Sequence, residues 1–218
     1  MIKGAIFDLD GTLLATLESI AKSGNAMLNH FGYPEVAVEQ YGVFAGNGAD
    51  KLVERALIYS GDTELVHLRE AITVYREYFG QFCSYQVKPY EGIAQMLSEL
   101  VAKKIRLGVV TNKPHQNAVR LMKEYFGNDP FTHVLGQQDG LPQKPDSTGI
   151  FTVLKDWGIA PSECVYLGDS DVDMQTGNNA GCLTVGVLWG FRDEKELREN
   201  GAHHVISHPM DLLPLLKG

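Results

Sequence analysis

Apolar positions in this chain recur at two different spacings, and the two are interleaved along most of its length. Short apolar runs at residues 5–7, 105–111, 132–136, 164–168, 184–187 and 204–206 read as strands. Between them, apolar residues return every third or fourth position. Ile93, Met96, Leu97, Leu100 and Val101 form one such face, and residues 117–125, 150–157, 173–180, 194–200 and 210–216 read as further helices. Strand and helix in alternation predict an α/β protein with a doubly wound parallel sheet.

One stretch breaks the alternation. Leu17, Ile20, Ala21, Gly24, Met27, Leu28 and Phe31 lie at helical spacing, with Thr16 as the expected N-cap and Gly32 as the stop. Helical segments at 49–59 and 64–82 follow, and no strand pattern is found between Thr16 and Tyr85. A single crossover between parallel strands needs about a dozen residues, far fewer than this block contains. The expectation is therefore an α/β core of residues 1–15 and 88–218 with a smaller all-helical domain, 16–87, inserted into it. The hinges are expected at residues 13–16 and 87–92, where Pro89 and Gly92 interrupt regular structure.

The chemistry gathers at strand ends. The run Ala5-Ile6-Phe7 stops at Asp8-Leu9-Asp10-Gly11-Thr12, and residues two apart on an extended backbone share a face. Two such carboxylates about 4 Å apart repel by roughly 4 kcal/mol at an effective dielectric of 20. They require a cation, a lysine or a shared proton. The strand 164–168 runs into Asp169-Ser170-Asp171-Val172-Asp173, with Asp171 an expected N-cap and Asp173 near a helix N-terminus, where negative charge is favoured. Oxygen ligands from two strand ends suit Mg²⁺. The strand 105–111 ends in Thr111-Asn112-Lys113, whose hydroxyl and backbone N–H groups can hold phosphate oxygens. Lys144-Pro145-Asp146 is expected just before a helix, with Pro145 at its start, and supplies a cation to balance the acids.

Asp8/Asp10, Thr111, Lys144 and Asp169/Asp173 resemble, in this order, the four motifs of the haloacid dehalogenase superfamily of aspartate-nucleophile phosphatases. The resemblance spans the chain and implies a Rossmann-like core with a cap closing over the active site. It implies Asp8 as nucleophile and Asp10 as general acid and base. Mg²⁺ would be held by Asp8, the Asp10 carbonyl and Asp169. Thr111, the Asn112 amide and Lys144 would bind the phosphoryl oxygens, with Asp173 in support of the metal-bound water or Lys144. The segment Phe44-Ala45-Gly46-Asn47-Gly48-Ala49-Asp50 is similar to the cap loop of bacterial phosphoglycolate phosphatases. A Gly46-Asn47-Gly48 turn opening a helix can present backbone N–H groups to a small carboxylate, with Lys51 and Arg55 the nearest cations. This implies 2-phosphoglycolate as substrate, with nucleotidase, sugar-phosphatase and pyrophosphatase activities as the alternatives. One departure stands out: Ala15-Thr16 replaces the Asp-Ser that usually continues the first motif.

Composition narrows the partners. The formal charge of −8, with no basic block, argues against nucleic acid. The three scattered cysteines, Cys83, Cys164 and Cys182, read as reduced thiols of a cytoplasmic protein. No apolar run reaches the roughly eighteen residues of a membrane span, and with the first strand so early no signal peptide is expected. The expected partner is a small phosphate ester, and the expected assembly a monomer or homodimer. A phospho-accepting receiver domain is the rival of another class. It would place its acidic pair side by side and its acceptor on a later strand, without a long helical insert.

Overall fold

The computed structural model describes residues 1–127 and 130–216. In chain order the elements are β1 (Gly4–Phe7), β2 (Leu14–Ala15), α1 (Leu17–His30), α2 (Val38–Phe44), α3 (Ala49–Tyr59), α4 (Leu68–Phe82) and β3 (Lys88–Pro89). They continue with α5 (Ile93–Ala102), β4 (Arg106–Pro114), α6 (His115–Phe126), β5 (Phe131–Gln137), α7 (Thr148–Trp157) and β6 (Cys164–Gly168). The last are α8 (Asp171–Ala180), β7 (Leu183–Val187), α9 (Glu194–Glu199), β8 (His204–Ile206) and α10 (Leu212–Leu215).

The chain divides into two compact units, Met1–Leu14 with Pro89–Gly218, and Ala15–Lys88. The first is an α/β unit built on a six-stranded sheet in the order β5-β4-β1-β6-β7-β8. Its ladders are parallel throughout. β1 and β6 are buried along their whole length, which is why they read as unbroken apolar runs. β1 lies between β4 and β6, so the strand order reverses about it. In open α/β sheets such a reversal leaves a crevice at the carboxyl ends of the strands.

The second unit is helical. α1 turns Ile20, Ala21, Met27 and Leu28 inward, α3 contributes Leu52, Val53, Ala56 and Leu57, and α4 adds Ala71, Tyr75 and Phe79. Asn25 ties α1 to the following loop by exchanging two hydrogen bonds with the Val36 backbone, both 2.9 Å. From α3, Arg55 donates to Phe44 O at the end of α2 and to Asn47 Oδ1 in the loop 46–48, both at 2.8 Å.

Several local expectations are corrected. α2 has no counterpart in the apolar pattern, because its seven residues are too few to show a period. α4 begins at Leu68 rather than residue 64, because Asp62 captures the N–H groups of Val66 and His67 at 3.0 and 3.1 Å. Thr16 precedes α1 but makes no side-chain cap. The helix expected at 210–216 is a 3₁₀ turn, Pro209–Asp211, followed by α10. Ser170, not Asp171, caps α8: its hydroxyl accepts from Asp173 N, and Asp173 Oδ2 accepts from Ser170 N at 3.1 Å. Pro145 does not open a helix, since α7 starts at Thr148. The Lys144 backbone is instead held in a loop, its N–H donating to Asn112 Oδ1 at 2.8 Å and its C=O accepting from Asn112 Nδ2 at 3.1 Å.

Candidate active site

Three adjacent strands deliver the site. β1, the middle one, ends immediately before Asp8, β6 on one side of it ends immediately before Asp169, and β4 on the other side carries Thr111 and Asn112. Asp8, Asp169 and Asp173 are buried and offer oxygens that all lie within 4.8 Å of one another. The Lys144 loop brings an ammonium into the same place, 2.6 Å from Asp173 Oδ1 and 2.9 Å from Asp8 Oδ1. Thus Asp8, Asp169, Asp173 and Lys144 meet in space although they are spread over the whole chain. Thr111 is buried in β4, and its hydroxyl accepts from Lys113 N at 3.3 Å.

The positions within the cluster are held from behind. Asp169 accepts from the Thr12 hydroxyl at 3.0 Å and from Phe191 N at 2.8 Å. Asp173 accepts from the Tyr166 hydroxyl at 3.0 Å and from the Ser170 hydroxyl at 2.6 Å. Gly11 has φ +78°, and a Cβ there would stand 2.2 Å from Asp169 Oδ2. Only glycine lets the turn after Asp10 pass so close to the second acid.

Charge is unbalanced among these groups. Three buried carboxylates face a single buried ammonium in the cluster. Burial, and after it the charge of Asp173, push Asp8 up to about 6 against the pull of Lys144. Asp169 is held well above the usual carboxylate range by burial, then by Asp173 and Asp8, against the opposing bonds from Phe191 and Thr12. For Lys144, burial works against the charge, but Asp173 and Asp8 outweigh it and raise its affinity for the proton. Asp8 Oδ1 is buried and makes an ion pair with Lys144 but no well-aligned hydrogen bond. A hard divalent cation is what such a set of oxygens lacks, so the residues fit Mg²⁺.

Two features depart from what the residue pattern suggests. The Asp10 carboxylate turns to Lys113, 2.8 Å from Nζ. Nothing in the sequence reading singled out Lys113; the available signal was a lysine two residues beyond Thr111, on the same face of an extended strand. The Asn112 carboxamide is engaged with the Lys144 backbone and thereby joins two stations of the site. In the helical unit, Gly48 precedes α3 with φ +83°, Arg55 pins Asn47, and exposed Lys51 pairs with Glu54 at 2.6 Å. Gly46, Asn47, Gly48, Lys51 and Arg55 all belong to that unit.

This parallel sheet and its acidic crevice define a class. Residues 5–187 match the haloacid dehalogenase-like hydrolases, and the chain belongs to that family. The receiver-domain reading is thereby set aside. The relatives share a narrower identity. The phosphoglycolate phosphatase of Thiobacillus denitrificans is 32% identical over 201 residues, covering 91% of this chain and 88% of that one. That of Yersinia pestis is 29% identical over 219 residues, covering 99% and 93%. A crystal structure of a candidate phosphoglycolate phosphatase from Lactobacillus delbrueckii subsp. bulgaricus superposes with a TM-score of 0.91 at 30% identity, covering 99% of this chain and 98% of that one. The protein is an enzyme, a phosphatase of the phosphoglycolate phosphatase-like kind.

Proposed function

We propose that the protein is a Mg²⁺-dependent phosphomonoesterase that hydrolyses 2-phosphoglycolate to glycolate and phosphate through an aspartyl phosphate on Asp8. The observation that carries the reading is the meeting of Asp8, Asp169, Asp173 and Lys144 at neighbouring strand ends. The metal would be held by Asp8, the Asp10 carbonyl and Asp169, and when bound it would neutralise charge on the phosphoryl group.

The protein's own residues do the rest. Thr111, the Asn112 backbone amide and Lys144 hold the non-bridging oxygens. Lys144 also keeps the Asp8 oxygen oriented, and Asp173 and Tyr166 hold Lys144 in turn. As an Asp8 oxygen bonds to phosphorus, the ester P–O bond breaks and protonated Asp10 gives its proton to the leaving oxygen. Asp10, now a carboxylate, takes a proton from water, and the hydroxide attacks the phosphorus of the acyl phosphate. Phosphate departs and Asp8 is regenerated.

The choice of leaving group rests on the helical unit, read as a cap. The names of the relatives support phosphoglycolate. So does the Gly46-Asn47-Gly48 turn at the start of α3, which suits a small carboxylate. Cytoplasmic residence is supported by three free, buried cysteines. Among the described residues no helix is long and apolar enough to cross a membrane. We read the assembly as a monomer or homodimer, which sedimentation measures directly. The decisive experiment is phosphate release from a panel of 2-phosphoglycolate, nucleotides, sugar phosphates and pyrophosphate, with EDTA and Asp8→Asn as controls. Preferred turnover of 2-phosphoglycolate, lost with EDTA and in Asp8→Asn, is expected. Near-normal turnover in Asp8→Asn would overturn the nucleophile; a many-fold preference for nucleotides or pyrophosphate would overturn the substrate alone.

A further inference from the structure

Lys113 is a charged residue with a fully buried side chain, and its ammonium lies 2.8 Å from Asp10 Oδ1. Burying an ammonium is costly unless it is paired, so its location calls for an explanation. β4 and β5 pair Val110 with Leu135 and next pair Pro114 with Gln137. Four steps along β4 therefore match two along β5, and the surplus is taken up across Thr111, Asn112 and Lys113. Bulges of this kind re-aim side chains beside active sites. The neighbouring strand is shaped to admit it: a Cβ on Gly136 would lie 2.6 Å from both the Lys113 carbonyl oxygen and His115 Cα.

The two acids after β1 thus receive separate lysines. Asp8 shares Lys144 with Asp173, and Asp10 takes Lys113. The Lys144 loop and the β4 bulge are themselves fastened together by Asn112. Asp10 retains some exposure, so Lys113 holds one carboxylate oxygen from inside and leaves the group open to a reacting molecule.

We propose that Lys113 is a positioning residue for Asp10, fixing the carboxyl group where it protonates the leaving oxygen. The inference rests on the phosphatase reading above and adds to it a residue acting through Asp10. Its consequence depends on the leaving group. An alkoxide leaving from a primary alkyl phosphate requires the proton that Asp10 supplies, and general acid catalysis contributes about 10²–10⁴-fold. Acetate leaving from acetyl phosphate requires none.

The test compares kcat/KM on 2-phosphoglycolate and on acetyl phosphate for wild type, Lys113→Met and Lys113→Arg, with circular dichroism to verify folding. Lys113→Met is expected to lose roughly 100-fold on the alkyl ester, at the low end of that range, and only a few-fold on acetyl phosphate. Lys113→Arg, which keeps the cation, is expected to recover at least about tenfold of the alkyl-ester rate. Equal losses on the two substrates, or no loss on either, would overturn the proposal while leaving the phosphatase reading intact. If Lys113→Met does not fold, the same ratio is read from Lys113→Arg against wild type, where an unchanged ratio with reduced rates is the overturning result. A wild type that releases phosphate from neither compound refutes the phosphatase reading, and the role of Lys113 with it.

Discussion

Replacing Lys144 by methionine removes the ammonium from the acidic cluster while nearly preserving the volume of the side chain. The lysine lies 2.6 Å from Asp173 and 2.9 Å from Asp8, and all three side chains are almost wholly buried. Removing one partner of a buried pair costs about 3–5 kcal/mol, because the remaining charge has neither water nor counterion. The cluster can limit that cost by taking up a proton. For a carboxyl whose unfolded pKa is about 3.9, binding one proton at pH 7.5 costs roughly 5 kcal/mol, and at pH 5.5 only about 2 kcal/mol. The sign follows from proton counting. Asp8 is already raised to about 6 and Asp169 well above its ordinary range, and losing Lys144 removes the charge that holds Asp8 down. The folded variant then binds more protons than the unfolded chain, so its stability falls as pH rises from about 4 through neutrality. At roughly 2–4 °C per kcal/mol for a chain of this size, Lys144→Met melts about 10–15 °C below wild type at pH 7.5, and the gap narrows by roughly half at pH 5.5. The assay is thermal melting in buffers containing EDTA across this pH range. A variant that melts with wild type at neutral pH, or whose deficit does not shrink with acidification, would refute the charge accounting.

Magnesium added to metal-free protein should raise the melting temperature, with about 2.7 kcal/mol of stabilisation at a hundredfold excess over Kd; an unchanged melting temperature at saturating Mg²⁺ would count against the fit of the carboxylates to a cation. Gly11→Ala should destabilise by roughly 1–3 kcal/mol in urea titration, since φ is +78° and the new Cβ would lie 2.2 Å from Asp169 Oδ2. A midpoint equal to that of wild type would show that the turn can shift away from Asp169. In the helical unit, Asp62→Ala should cost about 3 kcal/mol at neutral pH by releasing the Val66 and His67 N–H groups. Burial of Asp62 opposes its charge, but these bonds, the Tyr33 hydroxyl and the charge of His67 prevail and lower its pKa below 3.8. Its stabilisation is therefore present above that value and lost as pH falls through the lowered one. Melting curves at neutral and strongly acidic pH should show the deficit and then its disappearance.

Much of this protein is legible along the chain because strand and helix each impose a local period on apolar residues. β6 begins and ends where the apolar run at 164–168 does, and the acids Asp8 and Asp169 stand out because each follows a buried strand directly. α2 and the cap of α8 were less visible: the first is too short to repeat, and in Ser170-Asp171 either residue can cap. The partner of Asp10 lay further out of reach. An extended strand places Thr111 and Lys113 on one face, but only the pairing of β4 with β5 reveals the extra residues that turn Lys113 toward Asp10.

The sequence by itself determined the elements, the parallel sheet and the acids at strand ends, since these depend on spacing and on side chains a few positions apart. Tertiary structure alone decided which charge faces which. Lys144 meets Asp8 at a separation of more than a hundred positions and Asp173 at one of 29, and Lys113 meets Asp10 at one of 103. Coulomb energy depends on distance through space and on burial, and neither quantity is written in the local pattern of the chain.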